Sequence, residues 1–116
     1  MRNLTLLTDL YQLTMMNGYY EKNIHEDIVV FDMFFRKNAC DGGYTIICGI
    51  EQLAEYINNL HFSEDDLDYL RSLNWFSEGF LNFLKEFKFT GDIYAVEEGT
   101  VMFPGEPIIT VKAPLY

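Results

Sequence analysis

Apolar positions along the chain change their spacing several times, and each change predicts a different kind of element. Over residues 10–20, Leu10, Leu13 and then Met16 or Gly18 recur at helical intervals, with Asp9 as N-cap and Gln12 three residues on in a variant of the capping box. Tyr11, Thr14 and Met15 fall on the other side of that helix, so Tyr11 looks away from the core-facing stripe. Residues 27–36 are rich in β-branched and aromatic types and read as a strand. Val29, Phe31, Met33 and Phe35 share its core face, while Asp32, Phe34 and Arg36 alternate outward. Arg36 then sits at the strand end, where a guanidinium reaches beyond a sheet. Asp41-Gly42-Gly43 is a turn signal before a second strand over residues 44–48, which either pairs as a hairpin or passes to a neighbouring position.

After Gly49 the period lengthens again. Ile50, Leu53, Ala54, Ile57 and Leu60 form an apolar stripe and predict an amphipathic helix. Ser63 caps the next helix, with Glu64, Asp65 and Asp66 in a first turn that the helix dipole favours and Leu67, Leu70 and Leu73 on one face. Ser77 starts a third, whose buried set is Phe80, Phe83, Leu84 and Phe87. Short strands follow at residues 93–96, 100–103 and 108–112, separated by turns at Glu98-Gly99 and Pro104-Gly105. Ala113-Pro114-Leu115-Tyr116 brings the chain to a stop directly after an apolar strand, like a cut edge. No repeat, low-complexity run or linker divides the sequence.

At 116 residues the expectation is one α+β domain, with helices packed on a mixed β unit. Eighteen Asp and Glu against eight Lys and Arg give a net charge of -10, the wrong sign for a nucleic-acid or anionic-membrane binder, so any phosphate site is local. The longest uncharged stretch is 11 residues, short of the roughly 20 needed to span a bilayer. No secretory signal is visible, and a cytoplasmic address follows. Cys40 and Cys48 fit reduced thiols rather than a disulfide scaffold or zinc site. On the same ground the Asn3-Leu4-Thr5 glycosylation pattern is a coincidence.

No nucleophile elbow, Walker loop, dinucleotide fingerprint or metal-spaced His pair is present. His25 and His61 stand alone, with solvent-facing or capping roles, and Asp65-Asp66 is explained by its place in a helix first turn. Chemistry concentrates instead in a series of blocks. They are Leu7-Thr8-Asp9-Leu10-Tyr11-Gln12-Leu13-Thr14-Met15, Phe34-Phe35-Arg36-Lys37-Asn38, Gly42-Gly43-Tyr44, residues 89–96 (FTGDIYAV), Glu98-Gly99-Thr100, and Phe103-Pro104-Gly105-Glu106-Pro107. In this order and over almost the whole length, they closely resemble the opening domain of nicotinate phosphoribosyltransferases.

The resemblance implies the small N-terminal α/β domain of a type II phosphoribosyltransferase, normally packed on a large irregular α/β barrel that this chain lacks, in a homodimer. The implied reaction joins nicotinate to phosphoribosyl pyrophosphate, giving nicotinate mononucleotide and pyrophosphate, in NAD salvage. ATP hydrolysis, with Mg²⁺, is coupled through a phosphorylated His on the barrel, so the chain alone is expected to bind no cofactor and to be inactive. By resemblance Tyr11 stacks on the pyridine ring from the partner subunit, and Arg36 approaches the pyrophosphate across the dimer interface. Asp9 is the third substrate-binding candidate and Lys37 adds to the phosphate field; no catalytic or metal-binding residue is expected here. Each has a plainer alternative: Tyr11 as a core filler with its hydroxyl satisfied, Arg36 in a strand-end salt bridge, Asp9 as a helix cap, Lys37 as a solvated cation. A relative using nicotinamide or quinolinate, a lipoyl-like carrier modified at Lys112, and a bare interaction domain are the rival functions.

Overall fold

The computed structural model describes residues 3–116. In chain order the elements are α1 (Leu10–Glu21), β1 (Ile28–Met33), a 3-10 turn (Ala39–Asp41), β2 (Thr45–Ile46), α2 (Ile50–Asn59), α3 (Glu64–Ser72), α4 (Glu78–Lys85), β3 (Asp92–Ala95), β4 (Val101–Met102) and β5 (Ile109–Pro114). They sort into two compact units, each assembled from segments distant in sequence.

The first unit takes Met1–Asp27, Asn59–Phe89 and Pro114–Tyr116, and therefore α1, α3 and α4. Its core is Leu13, Phe62, Leu67, Leu70, Phe80, Leu81 and Leu84, with Met16, Tyr20, Phe83 and Phe87 packed around it. Phe80 and Leu84 were expected there from the spacing; Leu81, equally buried, extends the face sideways. Both helix starts predicted at serines are built. The Ser63 hydroxyl accepts from the Asp66 amide while the Asp66 carboxylate accepts from the Ser63 amide, a reciprocal capping box. Ser77 accepts from the Phe80 amide.

The same Asp66 carboxylate accepts from the Asn3 amide nitrogen at 2.8 Å, and Asn3 in turn accepts from the Thr5 amide. The glycosylation-like triplet is thus occupied in holding the chain onto α3. Partial burial raises the Asp66 pKa, but the bonds from Ser63 and Asn3 outweigh it and hold the carboxyl below its ordinary value. His25 differs from its expected solvent-facing role: its ring lies half-buried among Tyr20, Phe83 and Tyr116. The chain after β5 is likewise anchored rather than loose, because the Tyr116 ring meets Phe83 and Phe87 and its amide donates to the His25 carbonyl.

The second unit takes Ile28–Asn58 and Thr90–Ala113. Here β1, β5 and β3 form one sheet in that order, with β3 and β5 antiparallel and Ile93 opposite Val111, while β2 and β4 form a separate antiparallel pair. The two strands flanking the Gly42-Gly43 turn therefore do not pair as a hairpin; β2 passes to β4. Ile47, Ile108 and Ile109 are the buried centre, lined by Phe35, Ile50, Leu53 and Ile93; α2 thus contributes Ile50 and Leu53 of its predicted stripe, while Ala54 is exposed and Leu60 lies past the helix end. On β1 the expected core face holds only in part. Val29 and Phe35 are half-buried, but Phe31 and Met33 are 65% and 55% exposed, because β1 is an edge strand of the sheet. The strand also ends three residues before Arg36.

Gly91 shows how tightly β3 enters this sheet. A Cβ there would collide with the Ala113 side chain and stand 2.7 Å from the Lys112 carbonyl oxygen, both on β5. Neither obstacle is the flexible end of a long side chain, so the backbone has to shift. We expect Gly91→Ala to lower unfolding stability by about 1–3 kcal/mol in chemical denaturation; an unchanged midpoint would mean that this approach is not required.

Candidate functional site

The sequence blocks divide by what their side chains do within the fold. Glu98 reaches from the β3–β4 turn to the start of α2, where its carboxylate accepts from the Gly49 amide (2.9 Å) and the Glu51 amide (3.2 Å). That helix has no Ser, Thr, Asp or Asn of its own at its start, and a carboxylate at this end satisfies free N–H groups and the dipole together. Gly99 turns in the left-handed region at φ +81°, which lets its amide donate to the Ile47 carbonyl at 2.8 Å. Glu106 accepts from the Phe103 amide across the Pro104-Gly105 turn. These blocks are architecture. The role of Glu98 escaped the sequence reading; the uncapped start of α2 was the available signal.

Asp9, Tyr11, Arg36 and Lys37 have no such employment among the described residues. Tyr11 lies in the first turn of α1 with its ring 59% exposed. It does not fill a core gap, so that alternative is set aside. The helix is apolar on two sides, with Leu13, Met16 and Tyr20 turned to the core and Tyr11 and Met15 outward. Asp9 has the extended backbone of an N-cap but its carboxylate makes no capping bond, contrary to expectation. Its own carbonyl accepts from the Gln12 amide, while the Gln12 side chain is taken by the Thr8 hydroxyl, so the expected capping box does not form. The Asp9 carboxylate is left exposed beside the turn that carries Tyr11.

Arg36 and Lys37 belong to the second unit and occupy a bend beyond β1. The strand-end salt bridge is not formed: among the described residues no carboxylate lies in ion-pair distance of either. An open groove of about 460 Å³ is lined by Asp32, Met33, Phe34, Arg36 and Lys37. Asp32, the acid in it, accepts from the Thr110 hydroxyl at 2.6 Å. The second unit carries eight Asp and Glu and three Lys and Arg, and two of those three cations are this pair. A forked guanidinium in such a bend can engage paired oxygens of an anion. The structure thus places Asp9 with Tyr11 at one helix start and Arg36 with Lys37 in one bend of the other unit.

No three His, Cys, Asp or Glu side chains converge as a metal site among the described residues. Cys40 and Cys48 are both free and exposed. No helix among the described residues is long and apolar enough to cross a membrane.

Residues 6–116 match the family model of the nicotinate phosphoribosyltransferase N-terminal domain. The chain belongs to that family. It is 41% identical over 110 residues to a nicotinate phosphoribosyltransferase of Mycobacterium tuberculosis, covering 95% of this chain and 24% of that protein. To the Bacillus subtilis nicotinate phosphoribosyltransferase it is 40% identical over 113 residues, covering 97% and 23%. Among solved structures, human nicotinic acid phosphoribosyltransferase superposes with a TM-score of 0.83 at 28% identity, over 93% of this chain and 22% of that one. The chain spans less than a quarter of the length of these relatives.

Glu98 offers a direct check on the architectural half of this division. We expect Glu98→Ala to cost about 1 kcal/mol of stability, the usual worth of a helix cap, and to increase amide exchange in the first turn of α2. Exchange unchanged at Gly49 and Glu51 would show that the carboxylate does not hold that helix.

Proposed function

We propose that this chain forms the N-terminal part of an enzyme that transfers a phosphoribosyl group from phosphoribosyl pyrophosphate to nicotinate. The observation that carries this reading is the pairing of family membership with the idle side chains. Among the block side chains that the fold leaves exposed are a phenol on α1 and, beyond β1, a guanidinium with no carboxylate in ion-pair distance among the described residues.

In the transfer, the pyridine nitrogen bonds to the anomeric carbon of the ribose as the bond from that carbon to the pyrophosphate oxygen breaks. The pyrophosphate leaves with the bonding electrons. Two tasks then suit these side chains. Tyr11 covers one face of the pyridine ring, a planar surface offered with few rotatable bonds, and Arg36 neutralises charge on the departing pyrophosphate where it develops. Lys37 adds to the same field. Asp9, its carboxylate exposed beside Tyr11, is the third contact, toward the ring. ATP hydrolysis coupled to the transfer, and the Mg²⁺ it uses, are assigned to portions of the enzyme beyond these residues. The partner subunit of a homodimer supplies the rest of the composite site, and the cytoplasm is its setting. A carrier role finds no support, because Lys112 lies within β5 opposite Asp92 rather than at a hairpin tip.

In the full-length enzyme, Tyr11→Ala is expected to raise the KM for nicotinate at least tenfold while Tyr11→Phe stays within about twofold, since stacking needs the ring and not the hydroxyl. Arg36→Ala is expected to raise the KM for phosphoribosyl pyrophosphate at least tenfold, and residues 1–116 alone to show no turnover. Steady-state kinetics measures all of these. Unchanged constants in both alanine variants would remove the composite-site reading, and turnover by the 116-residue chain would remove the need for the rest of the enzyme.

A further inference from the structure

The bend that carries Arg36 and Lys37 is fastened on both sides. Before it, the Phe35 carbonyl accepts from the Gly105 amide at 2.9 Å, and one step earlier along the strand the Met33 carbonyl accepts from the Ile108 amide at 2.8 Å. After it, the Asn38 side-chain oxygen accepts from the Thr45 hydroxyl at 3.0 Å, in a half-buried position. Gly105 itself lies in the left-handed region at φ +83°, in the turn after β4. Two cationic residues are therefore held between a backbone anchor supplied by the β4–β5 connection and a side-chain anchor supplied by β2. Six residues of turn separate Asn38 from Thr45, including Cys40 and Asp41 in left-handed backbone conformations at φ 53° and 54°. Such an irregular stretch carries no ladder of its own, so the cross-loop bond is what joins its two ends.

We propose that Thr45 and Asn38 are positioning residues for the anion site: their hydrogen bond fixes the Arg36–Lys37 bend in the shape that meets a pyrophosphate group. This rests on the proposed role of Arg36 and deepens it. The physical reason is preorganisation. Two like charges side by side repel and favour opening of the bend, and an anion that must first order the segment binds more weakly by the cost of that ordering. A bend tied down beforehand meets the pyrophosphate without that cost. Asp32, which also lines the groove, accepts from the Thr110 hydroxyl through one of its carboxylate oxygens. Neither Thr45 nor Asn38 is required to touch substrate.

The test uses the full-length enzyme and the variants Thr45→Val and Thr45→Ser, since Val keeps the branched shape favoured in β2 and removes only the hydroxyl. We expect Thr45→Val to raise the KM for phosphoribosyl pyrophosphate about three- to tenfold, the range of one lost hydrogen bond. The KM for nicotinate and kcat should stay within twofold, and Thr45→Ser should restore the wild-type value. In an Arg36→Ala background the Thr45→Val change should add nothing. A similar rise in both backgrounds, or a loss of kcat and nicotinate binding together with thermal stability, would overturn the proposal by showing an effect not passed through Arg36. If Arg36→Ala raises the KM but Thr45→Val does not, positioning fails while the role of Arg36 stands. If Arg36→Ala has no effect, the role of Arg36 fails and takes the positioning with it.

Discussion

The hydrogen bond from the Gly105 amide to the Phe35 carbonyl is the constraint on which the candidate anion site depends. It lies two residues beyond the end of the edge strand, at the start of the bend that displays Arg36 and Lys37, and its donor, Gly105, takes a left-handed turn. A residue with a Cβ pays a steric penalty in that region. The bond also links two blocks that are far apart in sequence, Phe34-Phe35-Arg36-Lys37-Asn38 and Phe103-Pro104-Gly105-Glu106-Pro107. One serves the other: the turn is scaffold and the bend is display. The same division recurs between Glu98-Gly99-Thr100 and α2, where a carboxylate and a glycine from one turn hold the start of a helix 47 residues earlier in the chain.

The helical unit follows a different logic. Its core is a set of Leu and Phe centred on three helices, and Ser63 and Ser77 supply side-chain bonds at the starts of α3 and α4, where unpaired amides require partners. α1 stands apart in having apolar groups on both sides, only one of which the unit covers. Tyr11 belongs to the uncovered side. A phenol placed there gains nothing from the core of this chain, which is why its place in the family's first block reads as service to a ligand.

Much of this was legible in the sequence because the relevant signals are local. Helix starts at Ser63 and Ser77 follow from side chains that cap their own turn, and the stripes of α2, α3 and α4 follow from 3.6-residue spacing. What the sequence hid is nonlocal. The exposure of Phe31 and Met33 depends on β1 taking a sheet edge, which no period along β1 records. The pairing of β2 with β4, the capping of α2 by Glu98 and the fastening of Asn38 by Thr45 each join residues that only the fold makes neighbours. Asp9 erred for a competing local reason: Thr8 captures Gln12, so the reciprocal cap has no second member. Among the site candidates, Tyr11 and Arg36 were readable as residue types facing outward, whereas the absence of an ion pair at Arg36 among the described residues needed coordinates.

The permanently charged fork of Arg36, held by the bend beyond β1, is the group we propose for the oxygens of a pyrophosphate, and this role decides the rest. It is tested most directly by a crystal structure of the full-length enzyme with phosphoribosyl pyrophosphate bound. We expect guanidinium nitrogens of Arg36 within about 2.7–2.9 Å of pyrophosphate oxygens, the range of charge-assisted bonds. An Arg36 paired instead with a carboxylate, or lying beyond hydrogen-bond reach of every substrate oxygen, would contradict it.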